Sequence, residues 1–319
     1  MSETWQPTAS REILTQRARL FTRIRAFMAE RDILEVDTPV LSRAAPTDPH
    51  IHSVSASVRR PDTARADDCF LHTSPEFPMK RLLAAGSGSI YQIAHVFRND
   101  ESGRLHQPEF CMLEWYRVGL DHHGLMDELS GLLGLLGIKV GGRQTYDEAF
   151  REHVGLAAHG ADTACLVRRA AALGFLPEPP DEEALYDFIF NAAVAPRLGL
   201  NGAQFIHDFP VRHAALARVR PGNPPVAERF ELFIDGLEIA NGFHELADAG
   251  EQRRRFEADN RRRAAAGLTV MPVDENLLQA LHRGLPDCAG VAVGLDRLLM
   301  ILCDARSLDE VIAFPFGRA

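Results

Sequence analysis

The segment VFRNDESGRLHQPEF, residues 96–110, is the densest run of polar and charged side chains in the chain. An apolar strand pattern ends at Arg98, a charged loop with Gly103 follows, and a second strand pattern begins at Cys111. Arginine binds phosphate through paired hydrogen bonds, and an aromatic ring such as Phe110 can stack on a nucleotide base. Taken alone, the same pattern also fits a solvated hairpin, which composition by itself favours.

A second segment, ELFIDGLEIANGFHE at residues 231–245, places carboxylates inside apolar strand patterns. Glu231 and Glu238 lie on either side of Asp235-Gly236, a dipeptide typical of a tight hairpin turn. Two carboxylates paired across this hairpin could hold magnesium, which binds through carboxylates and substrate phosphates. The alternative is an ordinary exposed hairpin face, but carboxylates within apolar strands make this alternative less favourable.

A third segment, GVAVGLDRLLM at residues 290–300, runs from a strand of small residues into an apolar helix. Its glycines allow a ligand to approach the backbone closely. Arg297 stands at the start of the helix, where anionic oxygens bind. Alone this segment is weak evidence, so the fold assignment depends on the order of all three segments.

Outside these segments, apolar spacing predicts the remaining elements. Ser10 is a candidate N-cap for a helix over residues 11–31, and a short strand over 33–39 ends at Pro39. A loop-rich region is expected over 42–68, and strands are expected at 89–97, 111–118, 229–234, 237–243 and 291–294. Helices are expected at 121–137 and at 251–266, the second of which ends at Gly267. Residues 144–200 are expected to be helical with loops, with a break near 177–183. Strands without regular βαβ alternation predict an α+β fold with a mainly antiparallel sheet flanked by helices.

Length and composition are those of a globular enzyme. The 319 residues suffice for one large domain or at most two, and the contents of 46% hydrophobic and 25% charged residues are ordinary. No apolar run approaches the roughly 20 residues of a membrane span, and the N-terminus does not resemble a signal peptide. A cytoplasmic protein is therefore expected.

Charge and cysteine content exclude several other classes of protein. The formal net charge of −9 gives no support for a nucleic acid as the main partner. The five cysteines are widely scattered, which argues against a disulfide framework and a cysteine zinc site. His50 and His52, and likewise the adjacent His122 and His123, show no obvious third metal ligand, so surface or capping roles are favoured for both pairs.

In order and spelling, the segments resemble the signature motifs of class II aminoacyl-tRNA synthetases. Residues 11–39 resemble motif 1, FRNDE…HQPEF resembles motif 2, and GLDR resembles motif 3. SPEFPMKRLL and RFELFIDGLEIANGFHEL are similar to the lysine-pocket segments of lysyl-tRNA synthetases. The resemblance extends from about residue 10 to the end and implies one class II catalytic domain over residues 1–319.

The resemblance implies a role for each matching residue. Arg98 and Arg297 are the catalytic candidates, expected at the α- and γ-phosphates of ATP, with Phe110 stacked on adenine. The expected ATP-binding residues are Arg98, Asn99, Asp100, His106, Gln107, Phe110, Glu238, Ile239, Gly294 and Arg297. The expected amino-acid-binding residues are Ser74, Pro75, Glu76, Glu114, Tyr116, Asn241, Phe243, Glu245 and Ala292, and the expected Mg²⁺ ligands are Glu231 and Glu238. Glu245 is the expected partner of the side-chain ammonium, because a desolvated cation needs a carboxylate.

Two departures from lysyl-tRNA synthetases narrow the expectation. The motif 1 segment begins almost at the first residue, which leaves no room for the anticodon-binding OB-fold. Ala292 stands where those enzymes have glycine, and one added methyl changes which substrate fits. The first departure resembles truncated paralogues of lysyl-tRNA synthetase that attach (R)-β-lysine to elongation factor P, and the segments NGFHELADAGEQRRRFEADN and PDCAGVAVGLDR are close to those paralogues.

The resemblance therefore implies a ligase that uses ATP and Mg²⁺ to activate β-lysine and transfers it to a lysine of elongation factor P. It also implies a homodimer formed through motif 1, and no tRNA or membrane partner is expected. The alternatives are a lysyl-tRNA synthetase with a separate tRNA-binding partner, a non-catalytic amino-acid sensor, and an amide synthetase resembling asparagine synthetase A. The intact motif arginines and glutamates disfavour a sensor, and the acidic lysine-type pocket disfavours the amide synthetase.

Overall fold

The computed structural model describes residues 5–62, 66–175 and 182–319. The strands are β1 (Leu34–Glu35), β2 (Leu41–Ser42), β3 (Ser55–Arg59), β4 (Ala66–Leu71), β5 (Ile90–Phe97), β6 (Glu109–Val118), β7 (Val140–Thr145), β8 (Ala203–Pro210), β9 (Val219–Arg220), β10 (Val226–Ile234), β11 (Leu237–His244) and β12 (Cys288–Gly294). The helices are α1 (Arg11–Ala29), α2 (Glu76–Ala84), α3 (His122–Leu135), α4 (Tyr146–Val154), α5 (Thr163–Ala172), α6 (Glu182–Ile189), α7 (Ala249–Ala265), α8 (Glu275–Gly284) and α9 (Leu295–Leu302). Short π or 3₁₀ turns occur at Phe190–Val194, Ala195–Arg197, Val211–His213 and Leu308–Glu310.

The chain divides into two compact units. The first comprises the chain up to Gly119 with Ala247–Cys288 and Ala292–Ala319, and the second comprises Leu120–Leu246 with Ala289–Val291. β12 therefore contributes residues to both units. The expectation of one catalytic domain over residues 1–319 stays a prediction.

The first unit is built on the strands β1, β5, β6 and β12, in that spatial order. β5 and β6 are antiparallel and pair along the whole length of β5, from Ile90 opposite Tyr116 to Phe97 opposite Glu109. Helices α1 and α9 contact each other, and α9 also packs on β6. Apolar side chains of α1 and β6, such as Ile24 and Trp115, are fully buried in this unit. A separate antiparallel sheet has the order β2, β4, β3.

The second unit is built on β11, β10, β8 and β7, again in that spatial order. β8, β10 and β11 are antiparallel neighbours, whereas β7 runs parallel to β8. Its core is aromatic, with the ring of Tyr146 stacked on that of Phe190 at a centroid distance of 4.6 Å. This core lies against the β10–β11 hairpin, whose residues include several of the predicted site residues.

The main predictions about fold are confirmed. The strands are mainly antiparallel and the fold is α+β. The side chain of Ser10 accepts a hydrogen bond from the backbone N–H of Ile13, which makes it the N-cap of α1. The turn residues Asp235 and Gly236 both have positive φ, at 49° and 75°, as a two-residue hairpin turn of type I′ requires.

Several local predictions are wrong. The expected loop at 42–68 contains β3 and the start of β4, whose side chains alternate only between exposed and half-buried positions. Such strands lack the strong apolar alternation by which a strand is detected. The expected strand at 33–39 is reduced to β1, and β8 and α8 were not predicted as separate elements. Most of the break expected near 177–183 falls at 176–181, outside the described residues. Among the helices of the described ranges, none is long and apolar enough to cross a membrane.

Candidate active site

Arg98 and Phe110 lie together at one end of the β5–β6 hairpin. Since Phe97 pairs with Glu109, Arg98 emerges directly where the strands separate. Its guanidinium carbon is 5.1 Å from the centre of the Phe110 ring, and its Nη1 is 3.7 Å from Glu101 Oε1. The strand register therefore places a cation and an aromatic face side by side, and their predicted contacts with ATP stay predictions.

Arg297 contacts the loop that follows Arg98. It occupies the first turn of α9, and its Nε donates a hydrogen bond to the carbonyl oxygen of Leu105 at 3.2 Å. Its Nη2 is 2.7 Å from Nε2 of His106. The arginine of the third segment and the histidine of the first, 191 residues apart, are thus brought into contact. Their combination favours an anionic ligand such as a polyphosphate.

Asp296, the residue before Arg297, was missed by the sequence analysis. Its side chain is buried, and Oδ1 accepts a hydrogen bond from Arg17 of α1 at 2.5 Å. Its Oδ2 accepts a hydrogen bond from the backbone N–H of Cys111 at 2.7 Å. Asp296 therefore ties α9 to both α1 and β6 and holds Arg297 in place. A carboxylate in an apolar helix was the signal that could have identified it.

The other residues predicted from the first segment differ in exposure. Asn99 and Asp100 are exposed, and Asp100 has a φ of +63° and pairs with Nδ1 of His52 at 2.9 Å. Gln107 is buried, donates to Asp309 and accepts from the backbone N–H of Phe316. Both amide atoms of Gln107 thus hold the C-terminal segment, and its predicted contact with ATP stays a prediction.

A second cluster in the same unit joins the start of α2 to β6. Ser74 donates a hydrogen bond to Glu114 Oε2 and Tyr116 donates one to Glu114 Oε1, both at 2.6 Å. Ser74 also accepts a hydrogen bond from the backbone N–H of Glu76, whose carboxylate binds Lys80 at 2.6 Å. Pro75 is the N-cap residue of α2. The structure therefore brings together all five residues that the sequence predicted here.

Glu114 carries the strongest electrostatic signal of this cluster. Burial, with repulsion from Glu76, raises the pKa of Glu114 to about 7, although the bonds from Ser74 and Tyr116 act in the opposite direction. A buried carboxyl with a raised pKa is typical of a site that receives a cation, because an incoming ammonium would stabilise its charge.

Ala292 and Gly294 lie on β12. Ala292 is half-buried and packs with Phe110 against Val96 and Met112. Its methyl group is therefore in the wall that also holds the candidate adenine-stacking ring. Gly294 is the N-cap of α9 with a φ of −72°, so its backbone conformation does not itself require glycine.

The predicted carboxylates of the second unit lie on the β10–β11 hairpin. Glu231 is buried and faces Asn241 across the hairpin, whereas Glu238 faces Phe233. The sequence analysis expected the two glutamates to be paired across the hairpin. They are not direct cross-strand partners. With Ile234 opposite Leu237, the two-residue turn would by itself place Glu231 opposite Ala240, and a register shift between Leu232 and Phe233 moves it opposite Asn241. Burial and repulsion from Glu238 nevertheless raise the pKa of Glu231 to about 8, so the two carboxylates interact.

Arg229 is another residue that the sequence analysis missed. Its Nη2 donates to Glu231 at 2.5 Å, and its Nε donates to Asn241 at 3.2 Å. It therefore fixes both side chains on one face of the hairpin. The alternation of charged and apolar residues over RFELFI was the available signal.

The remaining predicted residues continue along β11. Ile239 is buried, and Phe243 is half-buried and packs on the aromatic core of the second unit. Glu245 follows the strand, forms a bridge to Ala217 and is only 1% exposed. Its predicted role as the partner of an ammonium group stays a prediction.

The donor groups fit the expected ligands. Arg98, His106 and Arg297 supply cationic and hydrogen-bonding groups for phosphates, and Phe110 supplies an aromatic face for a base. Burial and repulsion from Glu238 disfavour ionisation of Glu231, and a hard divalent cation such as Mg²⁺ would relieve that repulsion.

Comparison with known proteins identifies close relatives. A family model described as tRNA synthetases class II (D, K and N) matches residues 4–318. Proteins named elongation factor P–(R)-β-lysine ligase are 49% identical in Vibrio cholerae, over 99% of this chain and 98% of the relative, and 50% identical in Vibrio vulnificus, over 100% of both. The protein of that name from Yersinia enterocolitica is 46% identical over 100% of both chains.

Proposed function

The chain belongs to the class II tRNA synthetase family of the D, K and N type, and from this we propose that it is a ligase that joins (R)-β-lysine to elongation factor P. One observation carries the proposal: the three relatives above that bear this name are 46–50% identical over essentially the whole chain. The substrate is activated with ATP and then transferred to a lysine ε-amine of the acceptor protein.

The first step is an in-line attack by the amino-acid carboxylate on the α-phosphorus of ATP, which releases pyrophosphate and forms an aminoacyl-adenylate. Arg98 binds the α-phosphate and Arg297 the γ-phosphate, so that both offset negative charge as it develops. When bound, Mg²⁺ neutralises phosphate charge, and Glu231 and Glu238 are the residues that would hold it. Binding and orientation supply the catalysis, and no protein nucleophile takes part.

The ammonium groups of the substrate require buried carboxylates. Glu114 accepts hydrogen bonds from Ser74 and Tyr116, and an arriving ammonium would favour its charged form against the burial and the repulsion from Glu76 that raise its pKa to about 7. Glu245 supplies the second buried carboxylate. Two carboxylates match a diamino acid, which carries two ammonium groups.

The second step is attack by the neutral ε-amine of the acceptor lysine on the carbonyl carbon of the adenylate. The new C–N bond forms an amide, the bond to the phosphate oxygen breaks, AMP leaves, and the amine releases one proton to solvent. Since a protonated amine cannot attack, the acceptor lysine needs a local environment that lowers its pKa.

The acceptor is tested by intact-mass analysis. Enzyme, ATP, Mg²⁺ and (R)-β-lysine are mixed with elongation factor P, and the expected result is one added lysyl unit at a single lysine. Formation of the adenylate without any change in the mass of elongation factor P would remove the acceptor from the proposal.

The activation step is tested separately by pyrophosphate exchange. Arg98→Ala or Arg297→Ala should reduce exchange by at least about a hundredfold, the usual effect of losing one preorganised charge contact. Arg283→Ala, which alters an exposed arginine of α8, is the control and should exchange normally. Near wild-type exchange in either motif variant would contradict the mechanism.

A further inference from the structure

The second unit contains a cluster of histidine side chains that have no role in the proposed function. His122 and His123 begin α3, and His207 and Asp208 lie on β8. One ligand atom of each of these four residues lies within 4.8 Å of the other three. The ring centres of His122 and His123 are 4.1 Å apart, and those of His123 and His207 are 5.2 Å apart. The adjacent histidines therefore have the further ligands that the sequence analysis did not find.

The backbone of β8 is shaped to produce this cluster. Consecutive residues of a regular strand point to opposite faces, yet His207 and Asp208 both contribute to it. Asp208 has a φ of +57°, and the pairing of β10 with β8 is irregular between Ala227 and Phe230. Such bulges redirect side chains and are characteristic of functional positions.

His122 is the buried centre of the cluster. Its side chain is 1% exposed, and its Nε2 is 3.3 Å from Oδ1 of Asp208. Its other nitrogen, Nδ1, is buried without a hydrogen-bond partner among the described residues. Burying an unsatisfied ring nitrogen costs free energy, which a bound ligand would recover.

One carboxylate oxygen of Asp208 binds a neighbouring arginine, and the other faces the histidine cluster. Arg220 donates to Oδ2 of Asp208 at 2.7 Å, so Oδ1 stays directed at His122. Glu228 and His244, which bind each other at 2.7 Å, form a second buried group with His122. His122 therefore belongs to two groups of potential metal ligands.

We propose that His122, His123, His207 and Asp208 form a transition-metal site that binds Zn²⁺ and ties the start of α3 to β8. Three imidazoles and one carboxylate match the ligand types and the four-coordinate geometry of zinc, whereas Mg²⁺ takes oxygen ligands. The site does not depend on the proposed function.

The test uses full-length protein freed of metal with a chelator, without nucleotide or Mg²⁺. Isothermal titration calorimetry with ZnCl₂ should show one equivalent of Zn²⁺ bound per chain. His123→Ala and His207→Ala should each weaken the Kd at least about a hundredfold, since loss of an outer-shell partner alone costs about 10–100-fold. His153→Ala, which changes a half-exposed histidine of α4, is the matched control and should bind like the wild type.

The absorption spectrum of bound Co²⁺ distinguishes binding at this site from binding at the cysteines. Co²⁺ bound by nitrogen and oxygen gives visible d–d bands without a thiolate charge-transfer band. His123→Gln repeats the test with a polar side chain in case an alanine variant does not fold, and circular dichroism checks each variant. No stoichiometric binding, unchanged affinity in the folded histidine variants, or a thiolate band would each overturn the proposal.

Discussion

At the scale of single residues, Ala292 is predicted to influence which lysine isomer is used. Its methyl group is predicted to disfavour α-lysine relative to (R)-β-lysine, by narrowing the side of the pocket that would receive an α-amino group. Ala292→Gly should therefore raise kcat/KM for α-lysine relative to β-lysine by about tenfold or more, the usual effect of a methyl-sized difference. Pyrophosphate exchange with both amino acids measures the ratio.

The control for this prediction is Ala94→Gly, which removes a methyl group from the same apolar cluster. Ala94 has no predicted contact with substrate, so the ratio between the two amino acids should not change. If Ala292→Gly also leaves the ratio unchanged, Ala292 does not determine the choice of isomer.

Glu114 predicts a pH dependence of stability. The pKa of this carboxyl is raised from 4.5 to about 7 by burial and by Glu76, so the folded protein binds more protons than the unfolded chain between these values. The free energy of unfolding contributed by Glu114 is therefore full below about pH 4.5 and falls as the pH rises through 7. In Glu114→Gln, the decrease in the free energy of unfolding over this pH range should be smaller than in the wild type, by at most about 3 kcal/mol.

Urea unfolding of the apo protein between pH 5 and 8 measures the effect. Glu109→Gln changes an exposed carboxyl at the start of the same strand, β6, and should leave the wild-type pH dependence in place. Identical pH profiles for Glu114→Gln and the wild type would show that Glu114 ionises normally.

At the scale of elements, the β10–β11 hairpin depends on close packing at Gly242. A Cβ atom at this position would lie 2.6 Å from Cζ of Phe230 and 2.8 Å from the carbonyl oxygen of Gly290. Because the Phe230 ring is fully buried, the strands themselves would have to move. Gly242→Ala should therefore destabilise the protein by about 1–3 kcal/mol. It should also raise KM for the amino acid, since Asn241 and Phe243 are adjacent.

Gly134→Ala is the matched control, because a Cβ atom there would meet nothing within 4 Å. Gly134 is an exposed position of α3, so alanine should stabilise the helix by about 0.5–1 kcal/mol. Thermal unfolding and kinetics of both variants are compared with the wild type. A Gly242→Ala variant with wild-type Tm and KM would show that β10 and β11 tolerate the added atom.

At the scale of the whole molecule, a homodimer is predicted through the motif 1 segment. Leu14 and Leu34 of this segment, and Leu41 just beyond it, are large apolar side chains that are 37%, 57% and 41% exposed. Light scattering should give twice the chain mass of 35.3 kDa. Leu34→Asp should weaken the dimer at least about tenfold, since central apolar contacts dominate interface energy.

Leu200→Asp is the control for the dimer, because Leu200 is equally exposed, at 58%, but belongs to the second unit. It should leave the mass unchanged. A wild-type chain that stays monomeric at micromolar concentration would contradict the predicted dimer.

The purified chain is also predicted to charge tRNA(Lys) far more slowly than it modifies elongation factor P. A net charge of −9 gives little general attraction for the phosphate backbone of RNA. Aminoacylation assays with α-lysine and β-lysine measure this, with a lysyl-tRNA synthetase as the positive control. Efficient charging by this chain alone would favour the lysyl-tRNA synthetase interpretation.

The sequence by itself determined the features that depend on neighbouring residues. The spacing of apolar residues and the Ser10 cap predicted α1, and Asp235-Gly236 predicted the β10–β11 turn. These are local effects, since helix periodicity, capping and positive φ involve residues only a few positions apart. The order of the motifs likewise identified the family and the candidate phosphate-binding arginines.

Only the tertiary structure decided which distant residues meet. It paired Asp296 with Arg17, 279 residues away, and joined the histidines of α3 to His207 and Asp208 of β8. Such contacts depend on strand register and on bulges, which one sequence does not specify because a shift of one residue reverses every side chain. The shift between Leu232 and Phe233, which sets Glu231 opposite Asn241, is of this kind.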